Sequence, residues 1–158
     1  MIANGSFEVG GTPETWKLSS GAQIIEEAAH HGQRGVRLTA TEDIRRPFVA
    51  ALGLNGKPEL PVAGGLAYRI AFGSRTVRYS EGYNAYVELH WLNGAGKEIG
   101  KAELGAGQNV HEWILCQRVV VAPKEARTVH LELAVLGAGI VCDVDEVTLG
   151  PLSIEAAK

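Results

Sequence analysis

Residues 84–93 read NAYVELHWLN. Ala85, Val87, Leu89 and Trp91 fall on one parity, while Tyr86, Glu88 and His90 fall on the other. Side chains of an extended strand alternate between its two faces, so this stretch has one side for a core and one for water. That is the signature of an antiparallel sheet packed on one face only. A second stretch repeats it: Val129, Leu131 and Leu133 alternate with His130 and Glu132.

Five further segments share the enrichment in branched and aromatic residues expected of strands. They are AQIIEE (22–27), GVRLTA (35–40), LAYRIAFGS (66–74), EWILCQRVVV (112–121) and IVCDVDEVTL (140–149). Glycine, proline or asparagine interrupts nearly every gap. Glycine makes up 20 of 158 residues, well above a typical usage of about 7%, which suits many tight turns between short elements. Only GAQIIEEAAHH (21–31) has the composition of a helix, and Gly21 and Gly32 bound it closely. The expected class is therefore all-β, an antiparallel β-sandwich with short helical turns at most.

A chain of 158 residues that is 46% hydrophobic can bury the core of one domain. LGLNGKPELPVAGG (52–65) is rich in proline and glycine, but neither side of it holds enough strands to close a sandwich. It reads as a loop inside a single domain covering 1–158. A net charge of -3 and a pI near 6.0 offer no basic stripe, which argues against nucleic acid as a partner. No run approaches the roughly 18 apolar residues of a membrane span. Cys116 and Cys142 are too few for a zinc motif or a disulfide framework and read as small core residues.

Motifs for catalysis are sparse. The chain has no G-x-S-x-G elbow, and GAGKEIG (94–100) lacks the spacing of a phosphate loop and reads as a hairpin turn. VELHW and VHLEL each put a His and a Glu on one strand face, where they could serve as metal ligands or an acid–base set. Such residues on a solvated sheet face are commoner without that role, so the expectation is that the chain is not an enzyme.

NGSFEVGGTPETW (4–16), HHGQRGVRL (30–38), AYRIAFGSRT (67–76), VELHWLNGAGKEI (87–99), EWILCQRVVVAP (112–123) and CDVDEVTL (142–149) follow one another in this order. In this order they resemble the carbohydrate-binding modules of the xylan- and β-glucan-binding type, of families 4, 9 and 22. These share a galactose-binding-like jelly roll. The resemblance runs from Asn4 to Leu149 and rests on several weak motifs. It implies a non-catalytic module that recognises a polysaccharide or oligosaccharide of the β-glucan or xylan class, and a secreted or extracellular setting. The start at MIANGSF fits a module excised from a larger glycoside hydrolase, whose catalytic domain would be a partner. An accessory sandwich that packs on a catalytic domain without binding sugar is the alternative.

The resemblance also implies a structural calcium. Glu8 and Asp145 would supply carboxylates, and the backbone near Ser6 and Gln33 would complete an oxygen shell of the kind calcium takes. Ser6 and Glu8 would then project to one side of an extended segment while Phe7 and Trp16 anchor it in the core. Read without the resemblance, Glu8 and Asp145 are ordinary acids, paired with Arg34 or Arg37.

Sugars offer apolar faces to stack on rings and hydroxyls to bond to charged side chains. Two clusters qualify. One is a polar sheet face carrying Tyr86, Glu88, His90, His130 and Glu132, with Arg69 and Arg75 on a third strand. The other is the loop VRYSEGYNAY (77–86), with Tyr79 and Tyr83. Trp91 shares the apolar parity, and Trp16 and Trp113 are assigned to packing. Gly73 stands where an exposed ring might have been, so a flat aromatic strip is not expected.

Overall fold

The computed structural model describes residues 2, 5–8, 15–107 and 111–152. The glycine-rich part of the opening motif, residues 9–14, and Asn4 lie outside them. The described residues form eleven strands: β1 Trp16–Leu18, β2 Ala22–Ile25, β3 Gly35–Thr39, β4 Phe48–Ala51, β5 Leu60–Pro61, β6 Ala67–Arg78, β7 Tyr83–Asn93, β8 Glu98–Gly105, β9 Ile114–Val121, β10 Ala126–Leu136 and β11 Val141–Pro151.

The alternating stretch at 84–93 is β7, and it lies in the middle of one sheet. That sheet runs β1-β4-β10-β7-β8, with β5 added on β10; the second runs β2-β3-β11-β6-β9. Every pairing is antiparallel. The two long central pairs, β7 with β10 and β6 with β11, carry the sandwich. Their inward residues Val87, Leu89, Trp91, Leu131 and Leu133 from the first sheet and Ile70, Phe72, Val144 and Val147 from the second form one buried cluster. This is the sheet-on-sheet sandwich expected of the alternating pattern.

Local chemistry sets the turns. At the β7–β8 hairpin, the Asn93 side-chain oxygen accepts from the amides of Ala95 and Lys97, both at 3.0 Å. Gly96 supplies the positive φ of 75° that closes it. GAGKEIG is thus a hairpin turn. The helix-like stretch at 21–31 gives β2 and then a single 3-10 turn at Glu26–Ala28. The 52–65 connection contributes β5, which pairs with β10 through Leu60 and Val129.

Four strands carry no clear mark in the sequence. β1 and β5 are too short to show a period, β4 is small and apolar (FVAA), and β8 (EIGKAELG) alternates with few large residues. The opening segment also departs from the extended form. Phe7 has φ 58°, so the chain turns there instead of running straight. Its ring is fully buried against Trp16, 4.9 Å between centroids. Burial of two large rings offsets the cost of a left-handed Phe, about 1–3 kcal/mol. Gly5 permits this anchor: its carbonyl accepts from Val147, and an added Cβ would run into the Val147 carbonyl oxygen.

Cys116 and Cys142 are free and buried. Burial pushes both thiols up, Cys142 to about 11. They are inert core residues.

Candidate functional site

The outward face of β7 and β10 brings together the first predicted cluster. His90 pairs with His130, Glu88 with Glu132, and Tyr86 with Ala134 across the two strands. Directly opposed residues in an antiparallel pair stand about 4.5–5.5 Å apart at Cβ, so the His pair and the Glu pair form successive rungs. Two opposed carboxylates repel, and the fold resolves this with Arg46, which precedes Pro47 at the entry to β4.

The Arg46 guanidinium donates to Glu88 Oε2 at 2.6 Å, approaches Glu132 Oε2 at 2.8 Å, and donates through Nε to the Tyr86 hydroxyl at 3.0 Å. It also lies over the Phe48 and Tyr86 rings, 5.7 and 5.9 Å from their centroids. Burial opposes its charge, but the bonds to Glu132 and Tyr86 outweigh this and hold the guanidinium above its ordinary range. His130 presents both ring nitrogens to oxygen acceptors: Nδ1 to the Pro58 carbonyl at 2.6 Å and Nε2 to Glu132 Oε1 at 2.9 Å. Only the imidazolium can donate to both. The bond to Glu132 accordingly raises His130, and the same bond, with help from Arg46, drives Glu132 down to about 2. His90 Nδ1 lies 2.9 Å from Glu98 Oε2.

Two depressions open over this face. One, of about 450 Å³, is lined by Arg46, Pro58, Glu88, His90, His130 and Glu132 among others. The other, of about 250 Å³, is lined by Tyr83, Tyr86, Glu88, Glu103 and Leu136. Glu88 borders both, so the two hollows are neighbours along this sheet face and together are called the trough. Tyr83, 62% exposed, stands at one end with its ring edge-on to Tyr86 at 6.4 Å.

Several expectations need correction. Arg69 and Arg75 do not share this face. They project from β6, which pairs with β9 and β11 in the other sheet. Arg75 is bound to Asp143 at 2.7 Å, beside Arg37, which grips the same carboxylate at 2.7 and 3.0 Å. Arg69 borders a separate hollow with Ile2 and Thr148 to Leu152. The sequence gives strand periodicity but not which strands pair, so three polar strand faces cannot be assigned to one sheet in advance. Tyr83 belongs to β7 rather than to a loop and joins the trough, whereas Tyr79 follows β6 and does not line it. Arg46 was not anticipated. It lies outside every alternating segment, and its one mark is RRP ahead of an apolar run.

Trp16 and Trp91 are core residues. Trp113 instead lies on the outer side of the second sheet, stacked on His30 at 4.7 Å with Arg75 over its ring at 5.2 Å. Gly73 lies beneath, where a Cβ would sit 3.6 Å from the His30 ring and 3.7 Å from Trp113. These are ordinary contact distances, so the rings lie directly over the backbone of β6 at this point.

The residues of the expected calcium shell are close in space but differently engaged. Glu8 Oε1 accepts from the backbone amides of Gln33 and Arg34 at 2.8 and 3.0 Å. Asp145, fully buried, accepts from the amides of His30, His31 and Glu146 at 2.9, 3.1 and 2.7 Å. Ser6 is half-buried in the turn before Phe7. Calcium requires oxygens, and the 30–34 turn directs N–H groups at both carboxylates. As arranged, the amides of the 30–34 turn engage one oxygen of Glu8 and the Asp145 carboxylate, so these carboxylates hold the turn in place.

No family model and no curated protein matches this chain. Solved structures do. A family 16 carbohydrate-binding module aligns at TM-score 0.67 and 14% identity, over 94% of this chain and 98% of that one. The CBM22-1 xylan-binding domain of Paenibacillus barcinonensis Xyn10C aligns at TM-score 0.64 and 19% identity, over 95% and 93%.

This is the carbohydrate-binding-module fold. It also occurs inside larger chains: the enzymatically active domain of bacteriophage CBA120 tailspike protein 4 aligns at TM-score 0.70 and 13% identity, over 96% of this chain and 21% of that one. Here the trough lies on the face of β7 and β10. Among the described residues no helix is long and apolar enough to cross a membrane.

Proposed function

We propose that the chain is a non-catalytic carbohydrate-binding module that takes a single polysaccharide or oligosaccharide chain in the trough of the first sheet. The observation that carries this is that the two depressions adjoin at Glu88, with Tyr83 beside one and the paired charges of Arg46, His130 and Glu132 lining the other. Tyr83 supplies a ring for an apolar sugar face. Arg46 has five N–H donors and uses three on Glu88, Glu132 and Tyr86, so donors and carboxylate lone pairs remain for hydroxyls. These groups are already fixed by one another, so little ordering is required on binding.

The sugar class is a β-glucan or xylan type. What supports it is the fold shared with the xylan-binding domain, together with the scarcity of exposed aromatic rings in the trough, which disfavours a flat crystalline surface. The parent protein would be an extracellular glycoside hydrolase; the Clostridium thermocellum Xyn10B structure, of which this chain spans 28%, joins a CBM22-1 module to a GH10 module.

Glu132 is not suited to be the general acid of glycoside hydrolysis. A glycosidic general acid must hold its proton near working pH, and Glu132 is driven to about 2. Affinity electrophoresis against a panel of soluble xylans and β-glucans tests the proposal. Retardation by at least one polymer is expected, lost in Glu88→Ala and kept in Arg69→Ala, with no reducing sugar released. Retardation that survives Glu88→Ala and Arg46→Ala would move the site elsewhere, and no retardation at all would leave the accessory sandwich as the reading.

That alternative has one observation in its favour. Leu115, Val119 and Val121 project outward from β9, the edge strand of the second sheet, and are more than half exposed. An apolar strip there suits a neighbouring domain.

A further inference from the structure

The calcium-type carboxylates are occupied, but the same turn builds a different donor set beside them. β11 changes register between Asp145 and Thr148, and Glu146 occupies this irregularity with φ 55°. The left-handed conformation turns Glu146 out of the alternation, so Asp145 points under the 30–34 turn and Glu146 points at the imidazoles above. His30 Nδ1 and His31 Nδ1 lie 2.8 and 2.9 Å from the same oxygen, Glu146 Oε2. One ligand atom from each of the three residues falls within 4.8 Å of the others.

We propose that His30, His31 and Glu146 form a site for one borderline divalent cation, with zinc as the ion that suits it. Two imidazole nitrogens and one carboxylate oxygen are the donor types zinc takes, with water filling the remaining position. Calcium prefers oxygens throughout and gains nothing from the imidazoles. Each neutral ring binds through Nδ1 with its proton on Nε2, so the two Nδ1–H contacts to Glu146 give way to two Nδ1–metal bonds.

The supports around the donors are those of a prepared site. Asp145 Oδ2 accepts from the amides of both His30 and His31, fixing the backbone that carries the two rings. The His30 ring is stacked on Trp113, which holds its plane. His31 is the open side, its side chain 68% exposed, which gives an ion a route in. Ligand orientation by such outer contacts typically changes metal affinity 10- to 100-fold. The site lies on the second sheet, on the face away from the trough. Its ion would clasp the 26–34 turn to β11, a structural duty separate from sugar binding.

Isothermal titration and thermal melting of chelator-stripped protein with zinc chloride, and in parallel with calcium chloride, test this. One zinc per chain and a raised Tm are expected, with no response to calcium. His31→Ala removes an exposed ring and should melt near the parent in chelator; it and Glu146→Gln should weaken zinc by at least about tenfold. His111→Ala, a histidine bonded to the Thr76 carbonyl, should bind zinc as the parent does. The proposal falls if zinc does not bind, if calcium raises Tm as much as zinc, or if His31→Ala and Glu146→Gln bind zinc unchanged.

Discussion

Arg46 reaches from the entry of β4 to Glu88 on β7, 2.6 Å from guanidinium to carboxylate, and so spans β10, which lies between those two strands. On the way it meets Glu132 on β10. One side chain thereby bridges a cross-strand pair of carboxylates that would otherwise repel, with His130 as the second cation on Glu132. The trough exists in its present form because of that bridge.

Arg46→Ala should therefore act twice. Leaving Glu88 opposed to Glu132 without the guanidinium between them, with His130 still bonded to Glu132, should cost about 1–3 kcal/mol of stability, read as a lower denaturant midpoint at unchanged slope. It should also abolish polysaccharide retardation. Arg46→Lys keeps the charge but cannot reach two carboxylates and a hydroxyl with a planar fork, so it should recover stability only in part.

The pH dependence follows from the same cluster. Glu132 is held at about 2 in the folded chain against an ordinary 4.5, chiefly by its bond to His130. Its contribution, about 2–3 kcal/mol shared with its partners, is present above pH 4.5 and is lost as pH falls toward 2. His130 is shifted the other way, raised from 6.5 by that bond to Glu132. Its contribution is complete below pH 6.5 and is lost as pH climbs through the raised value. Melting scans should show a plateau between these limits. Glu132→Gln should flatten both flanks, since each depends on the pair; flanks unchanged in Glu132→Gln would show that other groups set them.

The fold was legible because a sandwich needs alternation, and Ala85 to Trp91 and Val129 to Leu133 state it without ambiguity. Tyr86, Glu88, His90, His130 and Glu132 were legible for the same reason: they are the other half of that pattern. Tyr83 was visible as a residue but misplaced in a loop, because a strand end has no period of its own. Arg46 and the exclusion of Arg69 and Arg75 were not legible. Both depend on which strands become neighbours, a long-range fact set by pairing of β10 with β4 and of β6 with β11. Glu146 was passed over because its role arises from a left-handed φ at a register shift, which no residue type there announces.

Tyr83 offers a clean separation of binding from stability. It is largely exposed at the end of the trough, so Tyr83→Ala should change stability by no more than about 0.5 kcal/mol. A lost ring contact should nonetheless weaken sugar binding by about 0.5–1.5 kcal/mol, or roughly 2- to 13-fold in Kd. Tyr79→Ala and Arg69→Ala, away from the trough, should bind as the parent does. Equal loss in Tyr79→Ala and Tyr83→Ala would place recognition in the 79–83 connection instead of on the sheet.

The converse case is Asp143, fully buried on the second sheet beneath Arg37 and Arg75. Its two oxygens accept from both guanidinium groups, and Arg75 also donates to the Glu27 carbonyl at 2.8 Å, tying β6 and β11 to the turn at 26–28. Burying a carboxylate is tolerable only with such partners, and removing one member of a buried pair typically costs about 3–5 kcal/mol. Here both arginines are partly exposed and can turn to water, so the low end, about 3 kcal/mol, is expected for Asp143→Ala. For a chain of this size that is a Tm lowered by about 6–12 °C. Arg75→Ala should cost less, because Arg37 keeps its two bonds to Asp143. Neither change touches the trough, so at a temperature where the variants remain folded both should be retarded by polysaccharide like the parent. Loss of retardation in folded Arg75→Ala would return Arg75 to the sugar site and refute the division of labour between the two sheets.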